Sequence, residues 1–111
     1  MNVTVSWNEV APSRWMENHI NQEADKLARH LAGPCEVALR FAQDGLRHQT
    51  RIHVLALGRD WFATGEGDGD LEAMHDAFET VMRQIDEYKR LNMNRIHRKF
   101  RRRDKRIELP A

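Results

Sequence analysis

The segment LEAMHDAFETVMRQIDEY, residues 71–88, decides the fold of this chain. Its large apolar side chains recur at steps of three and four residues, the spacing that places them on one face of an α-helix; they are Leu71, Met74, Phe78, Val81, Ile85 and Tyr88. Burying side chains of this size contributes about 10 kcal/mol before conformational entropy is subtracted. No other segment offers a comparable stripe, so this one is predicted to be the helix on which the domain packs.

A second amphipathic helix is predicted over residues 13–31. Ser13 is a favourable N-cap and Glu17 lies close to the capping-box position. Gly33 and Pro34 supply the usual stop signals at the other end. The apolar positions at helical spacing are Met16, Ile20, Ala24, Leu27 and Leu31. Each of the two helices therefore carries one apolar stripe.

Alternation of apolar and polar residues predicts four strands. They cover residues 2–7, 35–42, 48–57 and 61–65. A strand, a helix and a strand in succession imply a right-handed crossover between parallel strands, whereas turns at 44–45 and 58–60 imply antiparallel neighbours. The predicted fold is α+β, of order β-α-β-β-β-α, with both helices on one face of a four-stranded sheet. The other face stays open, and Arg40, Arg51 and His53 are candidates to project from it.

Length and composition predict a single cytoplasmic domain. The chain has 111 residues, and we assign residues 1–94 to the domain and 95–111 to a basic C-terminal extension. No apolar run approaches the roughly 18 residues of a membrane span, and the first twenty residues lack the pattern of a signal peptide. Cys35 is the single cysteine, which excludes an intrachain disulfide and fits a reducing compartment.

The formal net charge of +1 conceals a strong asymmetry. Residues 95–111 hold eight Lys or Arg against two acids, a net charge of +6. Residues 1–94 hold ten basic and fifteen acidic residues, a net charge of −5. A polyanionic partner is therefore expected to meet the extension first, although such a segment can also be a solvated, disordered end.

Several short stretches carry a family resemblance. They are the fourth strand Trp61-Phe62-Ala63-Thr64, the acidic approach 66–70, the helix start 71–74, Arg83-Gln84-Ile85 followed by Lys89, Lys26-Leu27-Ala28-Arg29 in the first helix, and segment 47–54. Together they resemble the ribosome hibernation-promoting factor family, also called the sigma-54 modulation or ribosome-associated inhibitor family. The likeness covers roughly residues 2–90. Because there is no room for the second domain of the longer members, the chain resembles the short form, and we expect a monomer.

The resemblance implies a protein that occupies the decoding channel of the small ribosomal subunit and blocks messenger and transfer RNA under stress. Such a protein has no catalytic role, cofactor, small-molecule substrate or membrane partner. Carried over by position, the rRNA-binding residues are Lys26, Arg29, Arg83, Lys89 and Arg90. The extension adds Arg95, Arg98, Lys99, Arg101, Arg102, Arg103, Lys105 and Arg106 as candidate phosphate contacts.

The second helix departs from the family pattern at two positions. Thr80 and Glu87 stand where the family usually has Lys, and Asp86 adds a further negative charge. The extension can compensate by moving phosphate contacts beyond the helix, which we expect to fray after about Asn92, and by ordering on RNA as it binds. Affinity should then fall steeply with salt, because each neutralised phosphate releases counterions.

Two other function classes remain open from the sequence. One is a module for double-stranded or structured RNA that is unrelated to hibernation, which would prefer a plain duplex to small subunits. The other is a small nuclease using His53 with nearby carboxylates, which needs a histidine and an acid converging in a cleft.

Other features are given structural interpretations. The histidines show no metal-site spacing, so no metal is expected. The acids at 68–79 are expected to complement the positive end of the second helix, with Asp68 or Asp70 as its cap. Cys35 is expected to be a buried thiol, and Trp15 and Trp61 core or rim residues. Glycines 65, 67 and 69 lack the Lys-Ser or Lys-Thr of a phosphate loop.

Overall fold

The computed structural model describes residues 2–7, 13–31 and 33–108, and the side chains among them as far as Asn92, with that of Trp7 excepted. The elements in chain order are β1 (Asn2–Trp7), α1 (Arg14–Leu31), β2 (Cys35–Asp44), β3 (Arg47–Ala56), β4 (Arg59–Gly67) and α2 (Asp70–Glu108). The predicted α+β fold of order β-α-β-β-β-α is confirmed.

The four strands form one sheet in the order β1-β2-β3-β4. β1 is parallel to β2, and the two following pairs are antiparallel, as the connection lengths predict. The turn into β4 lies one residue earlier than predicted and is shorter. Leu57 and Gly58 form it with φ of 56° and 68°, and Ala56 already pairs with Arg59. Two positive φ angles suit a tight hairpin, so Arg59 and Asp60 belong to β4.

Helix α1 begins as predicted. The Met16 N–H donates to the Ser13 hydroxyl oxygen at 3.0 Å, and the Glu17 N–H donates to the Ser13 carbonyl oxygen at the same distance. The predicted apolar positions of α1 are all buried. At its other end α1 stops at Leu31, just before the stop signals Gly33 and Pro34.

Helix α2 begins at Asp70 with a different cap from the one predicted. The Gly69 carbonyl accepts the Ala73 N–H at 3.0 Å, and the Glu72 carboxylate accepts the Asp68 N–H at 3.1 Å. The carboxylates of Asp68 and Asp70 instead contact side chains of β3, which ties the start of α2 to the sheet.

Helix α2 does not fray at Asn92, where the drifting apolar spacing predicts its end. Its backbone stays helical to Glu108. The physical reason is composition: residues 70–109 contain neither Gly nor Pro, and Arg, Lys, Met, Leu and Glu are all favourable in helices. At the standard rise, its 39 residues span about 58 Å. The basic extension therefore continues α2 as far as Glu108.

Both helices cover the same face of the sheet, as predicted. One continuous core contains the buried side chains of α1, α2 and the inward positions of β2, β3 and β4. Within α2 the predicted stripe is confirmed: Met74, Phe78, Val81 and Ile85 are fully buried, and Leu71 and Tyr88 pack against the core from its margin. Ala73 and Ala77 are also fully buried, which the apolar pattern does not predict.

Glycines in β4 explain the burial of these two alanines. A Cβ at Gly65 would lie 2.1 Å from the Ala73 carbonyl oxygen and 2.3 Å from the Ala77 nitrogen. A Cβ at Gly67 would lie 2.6 Å from the Glu72 Cβ. The backbone of α2 therefore rests directly on β4, and only glycine leaves room for this approach.

We expect Gly65→Ala to destabilise the domain by at least about 3 kcal/mol, the upper end for overpacking, because the new methyl meets backbone atoms that have no rotamer to change. Urea denaturation measures the change in the free energy of unfolding. Gly33→Ala is the matched control, since its Cβ would lie 3.9 Å from its nearest neighbour and should cost less than about 0.5 kcal/mol. Equal stability of the two variants would contradict the close approach.

Thr50 lies beside Gly65 in the β3–β4 register and is fully buried. Its hydroxyl finds no hydrogen-bond partner among the described residues. A buried unpaired hydroxyl carries a desolvation penalty, so Thr50→Val should raise the free energy of unfolding by about 1 kcal/mol. Thr64→Val on the exposed side of β4 is the control and should be close to neutral. A destabilised Thr50→Val would show that the hydroxyl is satisfied.

Candidate nucleic-acid interface

The predicted rRNA-binding residues of the domain lie on the solvent side of the two helices, which we call the helical face. α1 contributes Lys26 and Arg29, and α2 contributes Arg83, Lys89 and Arg90. Lys26 and Arg83 line the same groove between the helices, which has a volume of about 470 Å³. Lys89 lies at the junction with the end of α1. The structure thus gathers most of these positions on one side of the molecule.

The groove is not strongly basic, because acids alternate with the cations. Besides Lys26 and Arg83 it is lined by three carboxylates and one imidazole: Glu23, Glu79, Asp86 and His75. Lys26 Nζ lies 3.4 Å from the Glu23 carboxylate, and Arg83 lies 3.4 Å from that of Glu79. Such exposed ion pairs contribute at most about 1 kcal/mol. They lower the positive electrostatic potential of the helical face, but Lys26 and Arg83 can each exchange the carboxylate partner for a phosphate.

Lys89, a predicted rRNA-binding residue, also makes a contact that holds the two helices together. Its ammonium donates to the His30 carbonyl oxygen at 2.5 Å, one of the carbonyls left unpaired at the C-terminal end of α1. The His30 imidazole contacts the Asp86 carboxylate of α2. A cation at a helix C-terminus is favourable, so Lys89 ties the two helices together. Sequence spacing could not reveal this contact, because the partners are 59 positions apart.

The two departures from the family pattern lie on the helical face as well. Thr80 is half-buried, and Glu87 is exposed. Arg29 directs its Nε to the Asp25 carbonyl at 3.4 Å, whereas Arg90 is simply exposed. The described part of the helical face is therefore close to charge-balanced.

The larger positive charge lies further along α2. Its helical backbone includes all the basic positions predicted in the extension, whose side chains fall outside the described part: Arg95, Arg98, Lys99, Arg101, Arg102, Arg103, Lys105 and Arg106. They share one continuous rod with Arg83 and Arg90. The structure does not bring them together with Lys26 or Arg29 through any described contact.

The acids at the start of α2 are used for internal contacts. Arg47 lies 3.5 Å from the carboxylates of Glu66 and Asp68, and His48 Nδ1 lies 2.6 Å from Asp70. The Asp76 carboxylate accepts the Glu66 N–H at 3.0 Å. Among the side chains that the structure describes, no three His, Cys, Asp or Glu residues are placed to hold a metal ion.

The structure buries Cys35 and Trp61 but leaves Trp15 largely exposed. Cys35 is buried, and burial raises the pKa of its thiol, which disfavours the nucleophilic thiolate. Trp61 is a core residue whose indole N–H donates to the Ala56 carbonyl at 3.1 Å. Trp15 is 58% exposed and contacts His19 edge-on, with ring centroids 4.5 Å apart.

The open face of the sheet carries the side chains predicted for it. Arg40 and Arg51 are exposed, and His53 is half-buried. Sequence reasoning missed Phe62, which is 66% exposed and stacks on His53 with centroids 4.4 Å apart and planes within 3°. The alternation of side chains along β4 could have predicted this position, because Trp61 faces inward and the next residue, Phe62, must therefore face outward.

His53 does meet a carboxylate, with Nε2 lying 2.8 Å from Asp60. The pair lies on the exposed sheet, and the imidazole is covered on one side by Phe62. Among the described side chains, no second histidine lies on this face. The histidine and the acid that the nuclease hypothesis requires therefore meet on the exposed surface of the sheet.

The chain is thus an α+β domain with two helices on one face of a four-stranded mixed sheet. The family model for sigma 54 modulation protein / S30EA ribosomal protein matches residues 3–92, and the chain belongs to this family. The family resemblance drawn from the sequence is therefore confirmed.

Solved structures give the same fold at low sequence identity. The N-terminal domain of Protein Y from Thermus thermophilus matches with a TM-score of 0.70 and 14% identity, over 79% of this chain and 99% of that one. A ribosomal subunit interface protein from Coxiella burnetii matches with a TM-score of 0.69 and 16% identity, over 80% of this chain and 98% of that one. No curated protein matches the sequence. In the described part of the chain, no helix is long and apolar enough to cross a membrane.

Proposed function

We propose that this protein binds the small ribosomal subunit in its decoding channel and blocks messenger and transfer RNA, acting as a cytoplasmic translation inhibitor without catalysis. The observation that carries the proposal is the family match over residues 3–92. The structural neighbour from Coxiella burnetii is itself described as a ribosomal subunit interface protein. The charge distribution of α2 supports an rRNA partner.

We expect the two parts of α2, before and after Asn92, to contact rRNA in different ways. Near the sheet, Arg83 and Lys26 must give up the carboxylates of Glu79 and Glu23 to contact phosphate. Beyond Asn92 the helix carries a net charge of +6 over residues 95–108. The extension therefore supplies most of the electrostatic attraction, and the helical face supplies shape and a few exchangeable cations.

The first test is sedimentation with purified small subunits at low ionic strength. We expect the protein to travel with the subunit and to be displaced by messenger RNA paired with transfer RNA. A short RNA duplex should compete poorly, because the proposed site is a ribosomal cavity and not a plain helix. A protein that stays at the top of the gradient at low salt would overturn the proposal.

Replacing the eight Lys and Arg of residues 95–106 by Gln should weaken small-subunit binding and flatten its salt dependence. Removing one phosphate contact lowers the slope of log affinity against log salt by about 0.7 to 0.9. Gln keeps the helix propensity, so the change isolates charge from helix length. Truncation after Asn94 should give the same slope. Unchanged slopes in both variants would show that the extension does not contact rRNA.

Removing an acid from the helical face should have the opposite effect. Glu79→Gln releases Arg83 and removes one negative charge, so we expect binding to tighten about threefold at low salt, with the gain fading at high salt. Asp44→Asn is the matched control, because it makes the same charge change at the exposed end of β2, beside the β2–β3 turn. An equal gain in both variants would show that only net charge matters and that the helical face is not the contact.

A further inference from the structure

The open face of the sheet has an aromatic platform at its centre. Phe62 of β4 pairs with His53 of β3 in the strand register, and both side chains point away from the helices. Their rings stack in parallel, and 66% of the Phe62 surface is exposed. The exposed part of the Phe62 ring adds no burial to the fold, but it offers a surface on which another planar group can stack.

Two arginines flank the platform on one side. Arg40 and Arg51 are exposed and lie directly opposite each other across β2 and β3. Like charges in this position destabilise a strand pair. Within the described part of the chain neither guanidinium is paired with a carboxylate. An anion placed between them would remove the repulsion and receive two sets of guanidinium donors.

Positive and negative side chains lie at opposite ends of the open face, along the direction of the strands. The arginines share one end with the Thr64 hydroxyl, whereas Glu36 and Asp60 lie at the other end, on either side of Leu55. Arg51 lies two residues from His53, about 6.6 Å along the strand, so a ring on the platform and an anion at the arginines can belong to one nucleotide. A shallow groove of about 400 Å³ joins these groups and is also lined by Thr4 and Ser6.

We propose that this face is a second RNA-binding surface, which takes a short single-stranded segment. Its bases stack on Phe62 and His53, and its phosphates lie at Arg40 and Arg51. Single strands fit better than a duplex, because only an unstacked base can offer its face to an aromatic ring. The paired charges favour RNA over an apolar protein partner. This surface is separate from the proposed ribosome-binding helical face, since it lies on the opposite side of the molecule.

The test is fluorescence anisotropy of a labelled oligouridine of about eight nucleotides, titrated with the full chain at low salt. The chain carries the Gln replacements at residues 95–106, so that the extension does not mask the sheet. Phe62→Ala should weaken binding at least about tenfold. Arg40→Gln and Arg51→Gln should each weaken it and lower the salt slope by about one. Amide shifts on addition of the oligonucleotide should fall on β2, β3 and β4.

Matched controls separate the platform from general effects. Leu46→Ala removes another exposed apolar side chain, 92% accessible at the β2–β3 turn, and should leave the affinity unchanged. Arg83→Gln makes the same charge change as the arginine variants but on the helical face, and should have little effect. Circular dichroism melting checks that Phe62→Ala remains folded.

Four outcomes would overturn the proposal. They are equal binding by Phe62→Ala and Leu46→Ala, tighter binding of a duplex of equal length, cleavage of the oligonucleotide, and a dimer in sedimentation equilibrium that Phe62→Ala dissolves. The last result would assign the face to a second copy of this chain. None of these outcomes bears on sedimentation with small subunits, so failure of one proposal is distinguishable from failure of the other.

Discussion

The fold depends on the direct contact between the backbone of α2 and strand β4. Gly65 and Gly67 leave no side chain between them, and Ala73 and Ala77 present small surfaces to the strand. This approach brings the apolar stripe of α2 down to the sheet, where it completes the core with α1. It also fixes the direction of α2, and therefore the direction in which the basic extension leaves the domain. A packing constraint in β4 thus sets the geometry of the proposed rRNA contacts.

The charged residues of α2 that make contacts within the fold lie near the sheet, and the excess of basic residues lies further along the helix. At the start of α2 the acids are held by β3 and by backbone N–H groups, which complements the positive end of the helix. In the middle, Asp86 and Lys89 hold the end of α1. Over residues 95–108, beyond the part of α2 that covers the sheet, the sequence holds eight cations against two acids. Attraction to a polyanion is therefore concentrated where it does not disturb the core.

The sequence predicted the elements, their order and the apolar stripes, because these depend on local periodicity and on turn residues. It did not predict the burial of Ala73 and Ala77, since the glycines that make room for them lie on another element. It placed the end of α2 at Asn92 because the apolar spacing drifts there, whereas helix propensity alone keeps the backbone helical to Glu108. The sequence placed the candidate residues on the two helices, but it did not predict the side-chain and backbone partners of Lys26, Arg83 and Lys89. Those depend on which helix faces approach each other.

The two faces of the domain present different chemistry to RNA. On the helical face, cations alternate with acids, and Lys26 and Arg83 can contact phosphates only by leaving their carboxylates, which suits a large, shaped site in which many weak contacts act together. On the sheet face, Phe62, Arg40 and Arg51 offer a stacking surface and unpaired charge, which suits a few unstacked nucleotides. Because the two surfaces lie on opposite sides of the sheet, a shaped RNA site on the helical face leaves the sheet face free for a separate single strand.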